Sequence, residues 1–412
     1  MTAPLLSMPR HSSTDLARVR RRRVVLLAIL AILTAAALAL GIGVTKLNSN
    51  LTVVQLQPHE DIGTGAAAGI GMDGAAVNIL VLGSDGRDAG DGRFGEDDGT
   101  RRSDSMMLVH IAEDNERIEA VQIPRDTILD LPACVDRGFG AFAGGVGMIN
   151  TPYNYGEGCS VEAVEALTGV DIDHVIAMNF DGFATVVNAV GGIEVCLAEP
   201  ISDGHALIDL PAGRQTLGGE DALALARVRY VIGDGSDISR LENQQMVMSA
   251  IVQRATANEV LSSPTRVYGL VDAVTSSLTV DAGLSSVTKL ASLALRLHAV
   301  PDENITFLTM PWQPAASDPN RVEASADAEI VWSALENDEP IVFAGDAEGA
   351  LAEEAASDDE GSSAEDPTDD ADRAPAEDPD GNDRGSTEPQ EAAEDVDTID
   401  AAARTAAEPV CG

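Results

Sequence analysis

The chain has few basic residues, few cysteines and few histidines. Its 26 lysines and arginines are outnumbered by 68 aspartates and glutamates, which gives the 412 residues a net charge of −42. None of the four cysteines has the spacing of a zinc site, and the six histidines are scattered. No internal repeat is found, which excludes solenoid architectures. The length suffices for one large domain or two smaller ones.

The negative charge is concentrated towards the C-terminal end. Residues 345–412 consist mainly of Ala, Asp, Glu, Pro, Ser and Gly, with three arginines and no aromatic residue. Such a segment cannot bury enough apolar surface to offset the entropy of its backbone. The composition therefore predicts a disordered acidic tail at residues 345–412.

A long apolar run lies near the N-terminus. Arg18 and the arginines at 20–23 precede residues 24–44, which carry no charge. About 20 helical residues span a bilayer core, and a basic flank places its own end in the cytoplasm. The pattern predicts a cytoplasmic segment at 1–23, a transmembrane anchor at 24–44 in the cell membrane and an extracellular remainder. A signal peptide cleaved after Ala39 is the alternative.

This topology bears on the class of partner. The chemically informative motifs follow the anchor and would lie outside the cell, and only about 23 residues would be cytoplasmic. The arginines at 20–23 then serve as the orientation signal of the membrane helix. We therefore expect membrane lipid as a partner and no nucleic acid.

Residues 76–344 carry the patterns of a folded domain. Apolar runs predict buried strands at 77–83, 105–112 and 118–123, and further strands are predicted at 174–178, 193–196 and 305–310. Amphipathic patterns predict helices at 161–167, 183–190, 240–257, 264–276, 284–298 and 328–335. Residues 45–75, rich in Gly, Ala and Thr, are interpreted as a juxtamembrane linker. Mixed elements of these lengths predict a layered α/β domain with a mixed central β-sheet flanked by helices.

Arginines are gathered beside carboxylates in four short motifs. These are Asp85-Gly-Arg87, Arg102-Ser-Asp104, Arg125-Asp126, and Arg227-Val-Arg229 followed by Arg240 and Gln244. Side chains two apart in a strand, or four apart in a helix, share a face. Guanidinium groups suit phosphate oxygens, and carboxylates beside phosphate suit Mg²⁺. Together the motifs predict a pyrophosphate–metal site, although any single motif could be a surface ion pair.

The order of these motifs resembles the LytR-CpsA-Psr family. The resemblance covers residues 77–255 and rests on Asn78–Arg87, Arg102–Met107, Ile123–Thr127, Leu167–His174, Gly191–Val195 and Arg227–Gln244. It implies a three-layer α/β/α domain on a single N-terminal membrane helix. It also implies a phosphotransferase that moves a glycopolymer from a polyprenyl-pyrophosphate carrier onto peptidoglycan, forming a phosphodiester.

The resemblance also implies roles for individual residues. Metal ligands for Mg²⁺ (or Mn²⁺) are implied at Asp85 and Asp104. Pyrophosphate contacts are implied for Arg102, Arg125, Arg227, Arg229 and Arg240, with Gln244 beside them and Arg87 nearby. Asp126 is a candidate general base for the sugar hydroxyl. Asn243 and Met148 stand where the family commonly has Arg and Lys, and this departure bears on polymer choice rather than on the reaction.

Two other functions could use the same residues. A pyrophosphatase would hydrolyse the lipid carrier with water in place of the glycan hydroxyl. A non-enzymatic module would bind polyprenyl phosphate or an anionic polymer. Two interpretations fit the apolar faces at 161–167, Phe180, Phe183 and 241–255. They pack in the hydrophobic core, or they line a slot for the lipid.

Three cysteines lie in the predicted domain, which would be exported to a compartment where disulfides persist. Cys134, Cys159 and Cys196 allow three pairings, and at most one pair can form among them. Cys134–Cys159 is favoured, and it would close the loop that contains Asn150. His174 is interpreted as structural rather than catalytic.

Overall fold

The structure is a computed structural model that describes residues 13–56, 75–84, 101–204, 208–228, 237–257, 260, 262–343, 399 and 403–405. Its helices are α1 (Ser13–Asn50), α2 (Glu157–Thr168), α3 (Phe180–Ala189), α4 (Gly219–Arg227), α5 (Asp237–Thr256), α6 (Pro264–Ser277), α7 (Val287–Ala299) and α8 (Ala326–Asn337). The central sheet consists of β1 (Thr52–Val54), β2 (Val77–Ser84), β3 (Ser103–Ile111), β4 (Ile118–Ile123), β7 (His174–Asn179), β12 (Leu278–Asp281), β13 (Ile305–Thr309) and β16 (Ala403–Thr405).

Four two-stranded ribbons surround the sheet. They pair β5 (Ile128–Leu131) with β6 (Gly145–Met148), β8 (Ile193–Leu197) with β11 (Gly213–Leu217), β9 (Ile201–Asp203) with β10 (Ile208–Leu210), and β14 (Trp312–Ala315) with β15 (Asp318–Ala324). Most of these short strands lack the long apolar runs that predict a central strand. The sequence analysis identified only β8 among them.

Strand directions bring several strand ends to one edge of the central sheet. The order is β1-β12-β7-β2-β3-β4-β13-β16. Strands β2 and β7 are parallel, as are β4 and β13, whereas β3 is antiparallel to both of its neighbours. The carboxyl ends of β2, β4, β7 and β13 and the amino end of β3 therefore share one edge. We call it the site edge, because the predicted motifs follow or precede these strand ends.

Helices cover both faces of the sheet, which confirms the predicted three-layer α/β/α fold. On one face, Leu80 and Leu82 of β2 pack in a cluster with Val164 of α2 and Trp332 of α8. On the other face, Ile79 belongs to a cluster that includes side chains of α5, α6 and α7. Because strand side chains alternate between faces, the apolar residues of the central strands contribute to both clusters.

The segment after the apolar run differs from the predicted linker at residues 45–56. Within α1, Arg21–Asn50 is long and apolar enough to cross a membrane by length and composition. The helix continues to Asn50, and β1 then joins the central sheet in parallel with β12. Leu47 is buried, and Asn50 donates hydrogen bonds to Asp272 and Thr275 of α6. These contacts order a segment that the linker prediction for residues 45–75 included.

Part of the C-terminal region also belongs to the sheet. Ala403–Thr405 forms β16, which pairs antiparallel with β13. Ile399 is fully buried, and its backbone N–H donates to the Val342 carbonyl at 3.0 Å. The central sheet thus extends into a region for which the composition predicts no structure, while the remainder of residues 344–412 lies outside the described residues.

Cys134 and Cys159 form a disulfide with a Cα–Cα distance of 5.7 Å, as the sequence analysis favours. The bridge joins the segment after β5 to the first turn of α2. Asn150, within the closed loop, is buried. His174 is also structural: its Nδ1 lies 3.1 Å from Oδ2 of the buried Asp281.

We expect replacement of both bridging cysteines by serine to lower the free energy of unfolding by about 3 kcal/mol. The bridge closes a loop across a sequence separation of 25 residues and so lowers the conformational entropy of the unfolded chain. Urea unfolding of the full chain would measure this. Cys196 also belongs to a disulfide, so chemical reduction would not isolate the Cys134–Cys159 bridge. Peptide mapping that found both thiols free in the native protein would contradict the pairing.

A buried polar network lies at the edge of the sheet opposite the site edge. The His110 ring contacts Asn78 Oδ1 at 2.8 Å and Asp338 Oδ1 at 3.0 Å. Nearby, Arg117 Nε donates to Glu119 Oε1 at 2.8 Å, whereas Oε2 of Glu119 is buried without a hydrogen-bond partner. Burial raises the pKa of Glu119 to about 7, against the opposing effect of Arg117, and burial lowers the pKa of His110.

Glu119 should make the folding stability fall as the pH rises. Between about pH 4.5 and 7 the folded chain retains a proton on Glu119 that the unfolded chain releases, so the free energy of unfolding declines by up to about 1.4 kcal/mol per pH unit. We expect Glu119→Gln to flatten this slope in urea unfolding series, whereas Glu116→Gln, at an exposed neighbouring position, should retain it. An unchanged slope in Glu119→Gln would assign the effect to another group.

Candidate functional site

The pairing of β3 with β4 brings the first two site residues together. Met106 pairs with Ile123, so Asp104, at the start of β3, comes next to Arg125, which follows β4. Arg125 Nη1 donates a hydrogen bond to Asp104 Oδ1. The predicted meeting of a carboxylate and an arginine at the site edge is therefore present in the fold.

Several predicted residues cannot be placed. Asp85, Arg87 and Arg229 lie outside the described residues, and the side chain of Arg240 in α5 is not described. Asp85 directly follows Ser84, the last residue of β2. The roles of these four residues remain predictions.

Arg125 also belongs to a chain of ion pairs with Asp126 and Arg321. Its Nε lies 3.8 Å from Asp126 Oδ1, while Asp126 Oδ2 receives Arg321 Nη1 at 2.7 Å. Arg321 comes from β15, almost 200 residues further along the sequence. Both oxygens of Asp126 face guanidinium groups, and the carboxylate keeps further lone pairs that can accept a proton. In this geometry Asp126 holds two arginines in place at the edge.

A row of polar side chains fixes α5 against the sheet. Gln122, fully buried in β4, donates from Nε2 to Ser105 Oγ and to Gln244 Oε1, each at 3.0 Å. Gln244 in turn donates to the Ala226 carbonyl at 3.4 Å. Gln244 therefore joins β4, α5 and the end of α4, and it lies beside the arginines as predicted.

Arg227 lies at the end of α4, and its Cζ is 4.8 Å from the centroid of the Phe180 ring. The alternation of Arg227 and Arg229 predicts an extended segment, but Arg227 is the last helical residue, and Val228 is the one residue of this segment that the structure describes as extended. The apolar sequence of α4 explains the difference, because Ala222 and Leu225, three residues apart, are buried on one face of a short helix. Arg227 is exposed, and its distance to the Phe180 ring is within the limit of about 6 Å for cation–π contacts.

A cavity of about 520 Å³ opens between the sheet and helices α3, α4 and α5. Its walls are mainly apolar, and its polar atoms come from the site edge and from α4 and α5. The lining residues include Val81, Gly83, Asp104, Ser105, Met107, Met178, Phe180, Phe183, Asp203, Leu223, Arg227, Gln244, Val247 and Met248. Of the predicted apolar faces, Phe180, Phe183 and α5 line this cavity, whereas α2 packs in the core on the other face of the sheet.

Arg101 and Arg102 differ in their surroundings. Arg102 is exposed at the start of β3. Arg101 is stacked between the rings of Phe139 and Tyr153, at 4.5 and 5.2 Å, and contacts Glu157 at 3.3 Å. Burial raises the pKa of Tyr153 to about 12, so its hydroxyl stays protonated. Arg101 therefore packs against side chains of the domain, whereas Arg102 is exposed to solvent.

The described donors fit a hard divalent cation. Asp104 supplies a carboxylate with its side chain 22% exposed at the rim of the cavity. Within the parts of the chain that the structure describes, no group of three or more His, Cys, Asp and Glu is arranged to hold a metal by itself. Mg²⁺ is bound by one or two carboxylates together with water and substrate oxygens, and Asp104 supplies one carboxylate of this kind.

The sequence of the whole domain identifies its family. The model of the LytR_cpsA_psr family matches residues 46–337, which is most of the chain. The chain belongs to the LytR-CpsA-Psr family. The match begins at Lys46 and ends with α8, so the LytR-CpsA-Psr domain includes the end of α1 and the edge strand β1.

Individual relatives agree with this assignment. The chain is 32% identical to the cell wall biosynthesis protein LcpA of Corynebacterium glutamicum over 60% of this chain and 52% of that protein. It is 34% identical to the polyisoprenyl-teichoic acid–peptidoglycan teichoic acid transferase TagU of Bacillus mycoides over 45% of this chain and 55% of that protein. The chain thus spans about half the length of these curated relatives.

A solved structure supports the fold. A LytR-Csp2A-Psr enzyme from Actinomyces oris superposes with a TM-score of 0.53 at 22% identity, over 69% of this chain and 95% of that chain. At this identity the likeness concerns the fold of the LytR-CpsA-Psr domain, which is the three-layer arrangement described above.

Sequence reasoning missed three residues at the site edge. Gln122 carries a usable signal, because it is a polar residue within a strand that is otherwise suited to complete burial. Asp203 ends β9 and lines the cavity, and Arg321 holds Asp126. Neither belongs to a recognisable motif, so only the tertiary structure brings them to the site.

Proposed function

We propose that this chain is a membrane-anchored phosphotransferase of cell wall assembly. It would take a glycopolymer from a polyprenyl-pyrophosphate carrier and attach it to peptidoglycan through a phosphodiester. The printed functions of the LcpA and TagU relatives support a role in the cell wall. The activity, substrates and partners of this chain are our proposal.

The apolar cavity with charged groups at its rim is the observation that carries the proposal. A polyprenyl pyrophosphate has a hydrocarbon end and a doubly charged end, and a single site must accept both. Val81, Phe183 and Met248 line the apolar part, while Asp104 and Arg227 lie at the polar part. Burial of hydrocarbon is worth about 0.8 kcal/mol per methylene, and arginine forks bind phosphate oxygens with charge-assisted hydrogen bonds.

The proposed reaction is a phosphoryl transfer. The glycan hydroxyl oxygen forms a bond to the phosphorus that carries the sugar. The bond from that phosphorus to the bridging oxygen breaks, and polyprenyl phosphate leaves with the electron pair. The hydroxyl proton passes to a base, for which Asp126 is the candidate. Arg125 and Arg227 would stabilise the charge on the phosphoryl oxygens.

We propose Mg²⁺ as the cofactor, held by Asp104 and by Asp85. When bound, the ion would polarise the pyrophosphate and stabilise the charge of the departing phosphate. Arg125 donates to Asp104, so it would orient this carboxylate while meeting the substrate. The retained anchor fits a substrate that is itself in the membrane, since α1 runs without interruption from Ser13 to Asn50.

The test uses the full chain in lipid nanodiscs with a synthetic polyprenyl-pyrophosphoryl disaccharide, a peptidoglycan oligomer and Mg²⁺. Mass spectrometry of the products should show a sugar-phosphate adduct on the oligomer, and chelation of the metal should remove it. Asp104→Asn should abolish the adduct, whereas Asp130→Asn, at an exposed position of β5, should not.

Two other results would change the proposal. Release of polyprenyl phosphate and sugar phosphate without an adduct would assign the site to a pyrophosphatase. Binding of the lipid without turnover, in the presence of several glycopolymer substrates, would assign it to a non-enzymatic binding module.

A further inference from the structure

The chain has two lysines, and both lie where α1 meets the domain. They are Lys46, near the end of α1, and Lys289, in the first turn of α7. Every other basic side chain among the 26 is arginine. Lysine carries a strongly hydrated ammonium on a long apolar stem, and this combination suits the boundary between hydrocarbon and water.

Contacts over two turns of α1 fix this junction. Lys46 Nζ contacts Asp272 of α6 at 2.9 Å, and Asn50 Nδ2 donates to the same carboxylate at 3.0 Å. Between them, Asn48 Oδ1 accepts a hydrogen bond from the backbone N–H of Val287, the first residue of α7, at 2.8 Å. The domain is therefore attached directly to the helix, with α6 and α7 at the level of residues 46–50.

These residues lie at the depth of lipid headgroups if residues 24–44 span the hydrocarbon core. The headgroup layer is about 5–7 Å thick on each side, and a helix rises 1.5 Å per residue. Residues 45–48 therefore fall within that layer. Tyr268 of α6 is 43% exposed, and its ring lies about 4 Å from the position a side chain at Gly43 would take. Exposed tyrosines at this depth are typical of membrane interfaces.

The charge of the junction differs from that of the rest of the protein. Residues 262–299, which include α6 and α7, contain two carboxylates, Asp272 and Asp281, although the chain has 68. Asp272 is paired with Lys46, and Asp281 is buried against His174. A chain with a net charge of −42 would be repelled by anionic lipids, and this region lacks the unpaired carboxylates that would cause the repulsion.

The junction also lies at the site edge of the sheet. Helix α6 ends at Ser277, and β12 begins at Leu278, which pairs with Met178 at the carboxyl end of β7. Met178 lines the cavity. The edge at which the membrane helix enters the domain is therefore the edge that carries Arg125 and Asp104.

We infer that the domain rests on the outer surface of the membrane through Lys46 and Tyr268, which contact anionic phospholipid headgroups. The site edge then faces the bilayer. This inference rests on the membrane anchor of the proposed function but not on the transferase activity. It predicts contact between a folded face of the domain and lipid, in addition to the anchor itself.

The two lysines provide the test. The full chain is placed in nanodiscs of phosphatidylcholine alone or of phosphatidylcholine with phosphatidylglycerol, and acetylation by a neutral ester is followed by mass spectrometry. We expect acetylation of Lys46 to be about fivefold slower with phosphatidylglycerol, from the attraction of one lysine to an anionic surface, and to recover at high salt. Acetylation of Lys289, whose Nζ donates to the Ala282 carbonyl beyond the carboxyl end of β12, should slow less. The E116K variant provides a reference amine in the turn opposite the site edge, and its rate should not change.

Equal slowing of Lys46, Lys289 and the reference amine, or no slowing of Lys46, would overturn the inference. Failure of the chain to remain in nanodiscs would overturn both the anchor and the inference. Slow, lipid-dependent acetylation in a chain that shows no glycopolymer transfer would uphold the inference and count against the proposed activity alone.

Discussion

Arg125→Ala should lower kcat/KM for glycopolymer transfer by about 10²–10³-fold, the loss typical of removing one preorganised donor from a charged transition state. Arg125 contacts two carboxylates at the site edge. It donates to Asp104 and lies beside Asp126, which is itself bonded to Arg321. The measurement is steady-state transfer onto a peptidoglycan oligomer at saturating Mg²⁺.

Two variants separate the chemistry of Arg125 from its structural role. Arg125→Lys keeps the charge but loses the planar fork, and we expect an intermediate loss. Arg214→Ala removes an arginine that is 62% exposed on β11 and should leave kcat/KM unchanged. Wild-type kcat/KM in a folded Arg125→Ala protein would place the phosphate site elsewhere.

A larger side chain in the cavity wall should lower kcat/KM more for substrates with long lipid chains than for substrates with short ones. Met248→Trp would occupy space in the wall formed by α5, and exclusion of two or three methylene groups would lower kcat/KM about 15–60-fold at about 0.8 kcal/mol each. A substrate with a short prenyl chain should be affected much less, since it leaves that part of the cavity empty. The measurement compares kcat/KM for the two chain lengths in one variant.

Met248→Leu is the matched control, because it conserves volume and apolar character. It should retain wild-type kcat/KM for both chain lengths. An equal loss for long and short chains in Met248→Trp would indicate a general disturbance of α5, and no loss for either would mean that the lipid does not enter this cavity.

The central strands and the site edge could be predicted because their signals are local. Apolar runs identify β2, β3 and β4, and the motifs attached to their ends meet at one edge because the strand directions require it. Ion pairs between distant segments carry no such signal. Nothing in the sequence near Arg321 indicates that it bonds to Asp126, since that contact depends on the position of the β14–β15 ribbon.

The Gly- and Ala-rich composition of residues 45–75 was misleading for residues 45–56, which contain neither Gly nor Ala. Helix α1 continues there because Leu47 is buried and Lys46 and Asn50 bond to α6, so tertiary contacts override a weak local preference. Arg227 is a similar case, because the buried face of α4 determines its conformation. Asp85, Arg87, Arg229 and Arg240 remain predictions from motif order.

Strand β1 ties the fold of the domain to helix α1. It occupies the outer position of the central sheet beside β12, and it is separated from α1 by Leu51 alone. A protease that cut the chain after Val54, or a soluble version beginning at β2, would remove this strand and expose the backbone N–H and C=O groups of β12. Exposed edges of this kind promote self-association. Release from the membrane would therefore yield an aggregation-prone domain rather than a diffusible enzyme.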